Sequence, residues 1–180
     1  FGDPLLYVRL RHARRSLLFD LGASLRLAAR VAHQVSDVFI SHAHLDHIGG
    51  FFWLLRARIG LAQACRLYGP PGLARHVEAL IGGILWDRIE DRGPRFEIHE
   101  LHGDRLRHYA IQVGKGGLRA CGEDIVGEGV VRAETGFRVR AVTLDHGTPV
   151  LAYAFEPAEL INIRKDRLRA HGWEPGPWLN

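Results

Sequence analysis

Methionine is absent from this chain, even at position 1, and cysteine occurs only as Cys65 and Cys121. The missing methionine and the abrupt start at Phe1-Gly2-Asp3-Pro4 lead to the expectation that the natural start is missing; the natural end is open in the same way. Two distant thiols outside any Cys-x-x-Cys spacing indicate neither a disulfide framework nor a zinc ribbon, and both are expected as small core residues. No apolar run reaches the roughly 18 to 20 residues of a membrane span, and no signal-peptide pattern opens the chain. The expected compartment is the cytoplasm, with no membrane partner. Lysine is scarce, so arginine carries nearly all of the basic charge behind the formal balance of +4. That balance favours phosphate-bearing partners without demanding them. Repeats and low-complexity segments are also missing. What remains is an ordinary globular composition, 47% hydrophobic and 24% charged over 180 residues, enough for one domain with a substantial core.

One stretch states a chemistry by itself. Ser41-His42-Ala43-His44-Leu45-Asp46-His47 packs three imidazoles and a carboxylate into six residues, after the apolar run Val38-Phe39-Ile40 and before an apolar helical pattern. The context reads as strand, loop, helix. Histidines two apart on extended backbone point the same way, so His42 and His44 can share one metal ion through neutral ring nitrogens. Asp46 and His47 fall where the chain turns and can face a neighbouring ion. Such density at a strand end is hard to explain without a ligand.

The rest of the chain supplies the frame. Residues 5–10 and 16–21 read as a hairpin around the basic turn 12–15. Asp20 ends the second strand, where it either orients a ligand histidine or serves as a plain turn residue. Residues 24–35 have helical spacing with Ser24 as N-cap. Residues 48–59 form a second helix, apolar on a broad face, with Arg56 and Arg58 outside that face. Residues 65–68 are a strand leading into Gly69-Pro70-Pro71-Gly72, and residues 73–81 are a helix. Residues 82–93 are irregular, and 95–101 and 106–113 are strands that turn His99 and His102 to opposite faces. Residues 115–129, rich in glycine, read as loop. Strands at 137–144 and 150–155 flank Asp145-His146-Gly147-Thr148-Pro149, and the company of His42 and His44 makes His146 a third ligand, completing a catalytic-type three-histidine site. Residues 159–170 are basic and amphipathic, with Arg164, Lys165 and Arg167 followed by tryptophans and Gly176-Pro177. That tail suits a nucleic-acid backbone and equally a solvated helix end.

His42-Ala43-His44-Leu45-Asp46-His47 resembles the His-x-His-x-Asp-His signature of the metallo-β-lactamase superfamily. Leu67-Tyr68-Gly69-Pro70-Pro71-Gly72, Leu144-Asp145-His146-Gly147-Thr148-Pro149 and Gly176-Pro177 look like elements of its ribonuclease Z branch, and the resemblance runs the whole chain. It implies an α/β (α+β) fold, a four-layer αββα sandwich left incomplete at the C-terminus. Residues 1–158 would be the core and 159–180 an arm-like segment. It further implies two zinc ions in a complete protein, with His42, His44 and His146 holding one and Asp46 and His47 beginning the second. Asp46 would also handle a proton, and Asp20 and Ser41 would stand behind the ligands. Arg164, Lys165, Arg167, Gly176 and Pro177 would contact substrate. A bridging aspartate and a last histidine are expected beyond Asn180, since Asp166 lies in the basic helix; five of seven ligands are then present and one site is better formed. The implied activity is phosphodiester hydrolysis by an activated water, removing the 3′ trailer of precursor transfer RNA, in a protein compatible with a homodimer. Two other readings remain at this point: hydrolysis of a small phosphodiester, sulfate or carboxylic ester, and a non-catalytic RNA-binding module with part of a metal site.

Overall fold

The computed structural model describes residues 2–10, 13–158, Arg167 and 170–172. The hairpin is present as antiparallel strands β1 (Leu6–Leu10) and β2 (Arg15–Phe19). Next come α1 (Ala29–Gln34), β3 (Val35–Phe39), α2 (Leu45–Ile48), α3 (Phe51–Ala57), β4 (Cys65–Gly69) and α4 (Leu73–Gly82). The remaining elements are β5 (Arg95–His102), β6 (Arg105–Gln112), β7 (Arg119–Ile125), β8 (Val130–Glu134), β9 (Phe137–Asp145) and β10 (Pro149–Pro157).

Strands β1 to β7 form one sheet in sequence order, and β8 to β10 form a second, three-stranded sheet. Pairs β2–β3, β3–β4 and β4–β5 are parallel, because each connection carries helix across one face of the sheet. The carboxyl ends of β2, β3, β4 and β5 therefore share one edge, and the histidine-rich loop lies on it.

Alternation along the strands divides the core in two. Leu18, Val38, Ile40, Leu67, Phe96 and Ile98 face the helices, packing on Phe51, Leu54, Leu73 and Val77. Leu17, Phe39, Tyr68, Leu101 and Leu106 face the small sheet, meeting Val131, Phe137, Val139 and Leu151. Each such side chain removed from water contributes about 1.5–3 kcal/mol. Phe19, Phe39, Tyr68 and His99 stack along the inner face, with ring centroids 4.9, 4.8 and 4.6 Å apart in turn. Helices, large sheet and small sheet make three layers among the described residues. The outer face of the small sheet is bare there, with Val142 57% and Leu144 51% exposed. No helix of the described residues is long and apolar enough to cross a membrane.

Several local expectations are corrected. Residues 24–35 are not one helix: a 3-10 turn at Ser24–Arg26 precedes α1. Ser24 is buried and spends its hydroxyl on the carbonyl of Leu21 instead of capping a helix. The helix expected at 48–59 is two, α2 and α3, broken at Gly49-Gly50. Arg58, placed outside the apolar face, is only 2% exposed. Its guanidinium donates to the carbonyls of Ala32 (2.9 Å), Val35 (2.8 Å) and Gln63 (2.7 Å), satisfying chain ends that α1 and β3 leave open. Residues 115–129 hold a strand, β7, whose every residue is exposed; the antiparallel backbone ladder with β6 holds it instead of burial, with ion pairs of Arg105 and Arg107 to Glu123 across the strands. Cys121 is the extra residue of a bulge in β7, opposite the step from His108 to Tyr109, and so is exposed; Cys65 is buried as expected.

Candidate metal centre

The loop after β3 is held in place chiefly by backbone. Asp20 follows β2 with φ +57, a left-handed conformation that an aspartate tolerates. Its amide donates to Phe39, Leu21 donates to the carbonyl of His47, and Gly50 donates to Leu21. Glycine is required at two of these contacts: a Cβ on Gly22 would lie 2.1 Å from the carbonyl oxygen of Asp46, and one on Gly50 would lie 1.9 Å from that of Leu21. The turn after β2 and the histidine loop are thus pressed together at backbone distance.

The Asp20 carboxylate gathers the backbone and side chain of Ser41 and the ring of His47. Its Oδ1 accepts from the amide of Ser41 at 2.8 Å and, with Oδ2, meets Ser41 Oγ at 3.0 Å. Oδ2 also accepts from His47 Nδ1 at 2.9 Å. This fixes the His47 tautomer with its proton on Nδ1, leaving the Nε2 lone pair free. Because the Ser41 hydroxyl donates to Asp20, its oxygen accepts from His42 Nδ1 at 3.0 Å, leaving the Nε2 lone pair of His42 free as well.

Each of those nitrogens faces another polar atom, to which it can be joined by a shared proton or by a bound cation. His42 Nε2 stands 2.9 Å from His44 Nδ1, and His47 Nε2 stands 3.3 Å from Asp46 Oδ2. The His42 ring is 4.3 Å from that of His44 and 4.1 Å from that of His47. His42 is 7% exposed, and burial, followed by the neighbouring His47 and His44, lowers its pKa, which favours the neutral ring a metal needs. Asp46, with its side chain 54% exposed, opens to solvent. The donor set, neutral imidazoles with a carboxylate, fits a borderline-soft divalent ion such as zinc.

His146 lies on the tight turn between β9 and β10, with its amide on the carbonyl of Thr148 and Gly147 at φ +73. Its ring centroid is 6.1 Å from that of His42 and 6.5 Å from that of His44. Leu151 of β10 donates its amide to Ser41, bringing the second sheet onto the histidine loop. Among the described residues, no group of three or more His, Cys, Asp or Glu side chains converges closely enough to hold a metal ion as they stand. Of the tail residues expected to meet substrate, Arg167 is exposed, while Arg164, Lys165, Gly176 and Pro177 lie outside the described residues, as does Asp166.

His99 and His102 do face apart. His102 Nε2 bonds Glu100, whose other oxygen caps the amide of Ala74 in α4. His99 Nδ1 meets His108 Nδ1 at 2.7 Å, and His108 Nε2 meets Asp124 at 3.0 Å. Tyr153 is the site residue that spacing could not reveal. Its single hydroxyl proton is shared between the carbonyls of Ile40 (3.0 Å), immediately before the histidine loop, and Tyr68 (3.2 Å) on the neighbouring strand.

The family description "Metallo-beta-lactamase superfamily" matches residues 7–122, which include the histidine loop but not His146. Ribonuclease Z of Deinococcus radiodurans is 29% identical over 168 residues, a span covering 91% of this chain and 50% of that protein. Ribonuclease Z of Treponema denticola is 28% identical over 161 residues, 86% of this chain and 43% of that protein. The solved structure of human tRNase Z, short form, superposes with a TM-score of 0.53 at 18% identity, covering 87% of this chain and 58% of that chain. That of the metallo-beta-lactamase fold protein YhfI from Bacillus subtilis gives 0.50 at 14% identity, covering 86% and 50%. The chain spans about half the length of the curated relatives it matches.

Proposed function

The chain belongs to the metallo-β-lactamase superfamily, and from that premise we propose that it is part of a zinc-dependent phosphodiesterase of ribonuclease Z type, acting on precursor transfer RNA. The observation that carries the proposal is the paired approach of lone-pair donors at the sheet edge, His42 to His44 and Asp46 to His47, with His146 across from them. His42, His44 and His146 would hold one ion, and Asp46 and His47 would begin a second position. When bound, zinc supplies Lewis acidity and lowers the pKa of a coordinated water.

The chain's own groups do the rest. Asp20 holds the proton on His47 Nδ1, so that Nε2 points to the second position. Ser41 does the same for His42 through Nδ1. Asp46, exposed beside His47, is the group placed to accept a proton at its free carboxylate oxygen and pass it to solvent. Basic residues 159–170 and the Gly176-Pro177 element would grip the body of the RNA, away from the reacting phosphate. Their arginines favour that role, as do the ribonuclease Z relatives.

The reading is tested at two levels. Zinc content after purification and dialysis should approach one ion per chain and drop well below that in His42→Ala. In the complete protein, deletion of residues 159–180 should abolish cleavage of precursor transfer RNA while sparing a small chromogenic diester. Equal loss on both substrates would argue against an RNA-gripping segment, and a His42→Ala protein with unchanged zinc would refute the metal centre.

A further inference from the structure

The three histidines come from two sheets, so some contact must fix the sheets' mutual position more tightly than packing does. We infer that Tyr153 is a positioning residue for the metal centre, its hydroxyl clamping the ends of β3 and β4 so that His146 arrives opposite His42 and His44. The inference rests on the metal-centre reading above.

The hydroxyl reaches the carbonyls of Ile40 and Tyr68, and the amide of Ile40 in turn donates to Tyr68 at 2.8 Å. One oxygen thus ties together the last residue before Ser41 and the strand beside it. The phenol ring sits edge-on between Phe19 and Phe39, 6.0 and 5.4 Å from their centroids, which restricts its rotation. Burial keeps the hydroxyl's pKa well above its ordinary value, so the group remains a donor throughout the physiological range.

Leverage explains why the contact matters. Tyr153 and Leu151 point to the same face of β10, and each makes one contact with the histidine loop or its root. At about 3.4 Å per residue the two anchors are roughly 7 Å apart, and His146, one residue past the Asp145–Pro149 pair, lies roughly 10 Å beyond Leu151. With only the Leu151 anchor left, a shift of about 1 Å at position 153 becomes roughly 1.5 Å at the turn by this geometry. Metal–nitrogen bonds tolerate about 0.2 Å. Packing between apolar faces has no direction; a hydroxyl proton shared between two backbone carbonyls does.

The test is Tyr153→Phe in the 180-residue chain, with zinc affinity measured by competition against a chromogenic chelator. The visible spectrum of the cobalt(II)-loaded protein and thermal unfolding of the metal-free protein are recorded alongside. Zinc affinity should fall by about 10- to 100-fold, the range for residues that orient metal ligands, and the cobalt spectrum should lose intensity characteristic of tetrahedral binding. 4-Aminophenylalanine at position 153, which restores an N–H donor on the same ring, should recover affinity. Val139→Ala, which loosens the same sheet interface without touching a hydrogen bond, should lower the unfolding temperature and leave zinc affinity near the parent's. Unchanged affinity and spectrum in Tyr153→Phe would overturn the inference. So would no recovery with the amino analogue, or an equal affinity loss in Val139→Ala. A parent chain that binds zinc nowhere would overturn the metal-centre reading and this inference with it.

Discussion

Replacing Arg58 probes how a buried cation can be stabilising with no carboxylate bonded to it among the described residues. Its guanidinium donates to two buried carbonyls, of Ala32 and Val35, and to the partly exposed carbonyl of Gln63. Ala32 and Val35 lie at the end of α1, where carbonyls lack helical partners and the backbone carries partial negative charge. Hydrogen bonds to a charged group contribute about 1.5–3 kcal/mol each, less the cost of removing the charge from water. Removing the guanidinium leaves two buried carbonyls unpaired at about 1–3 kcal/mol each, together on the order of 3–5 kcal/mol. At about 2–4 °C per kcal/mol for a domain of this length, Arg58→Ala should unfold roughly 6–20 °C below the parent, followed by circular dichroism. Arg58→Met keeps most of the volume but leaves the carbonyls unpaired, so it should recover only the cavity part of the loss. Arg58→Lys can serve one carbonyl well and should fall between. A midpoint for Arg58→Met within about 0.5 kcal/mol of the parent, the ordinary scatter of neutral substitutions, would refute the argument.

Asp20→Asn keeps a residue type that tolerates the left-handed backbone but loses the carboxylate on His47 and Ser41; zinc affinity should fall about 10- to 100-fold with little change in unfolding temperature, measured by chelator competition. Acid should destabilise the chain through His99, whose pKa is pushed down to about 3 by burial first, then by His108, Arg66 and Arg132. Because the folded value lies below the unfolded 6.5, stability is full above about pH 6.5 and falls toward pH 3, by up to about 1.4 kcal/mol per unit. His99→Gln should flatten that slope in urea titrations at pH 7 and pH 5, and an unchanged slope would count against it. A thiol reagent should modify one cysteine per native chain, the exposed Cys121; Cys65, buried with its pKa raised to about 12 by that burial, should react only on unfolding.

Legibility in the sequence followed the range of the interactions involved. The histidine loop was readable because its spacing acts within seven residues. Asp20 was half readable: its place at a strand end was visible, but its bond to His47 spans 27 positions. Tyr153 was unreadable as a site residue, since its partner Ile40 is 113 positions away and belongs to a different sheet. Arg58 was misplaced because a helical wheel assigns charge to solvent and knows nothing of carbonyls stranded at another helix's end. Strand β7 left no signature because it buries nothing and therefore need not alternate. Glycines at 49 and 50 broke a helix that apolar periodicity alone would have continued.

The meeting of β10 with the histidine loop also has a temporal consequence. Strands β2 to β5 pair across short crossovers, whereas the bond from Leu151 to Ser41 closes a loop of about 110 residues. Loop-closure entropy makes the later junction costlier by about 1 kcal/mol than a 25-residue crossover, and long-range pairing is correspondingly slow. On that account the parallel strands that carry His42 and His44 are expected to pair before the His146 turn docks, an order that pulsed hydrogen exchange during refolding tests, the reverse order refuting it. A nascent chain would grasp an ion loosely with two imidazoles and tighten its hold only when the hairpin closes, so that metal supplied during refolding should accelerate the final step.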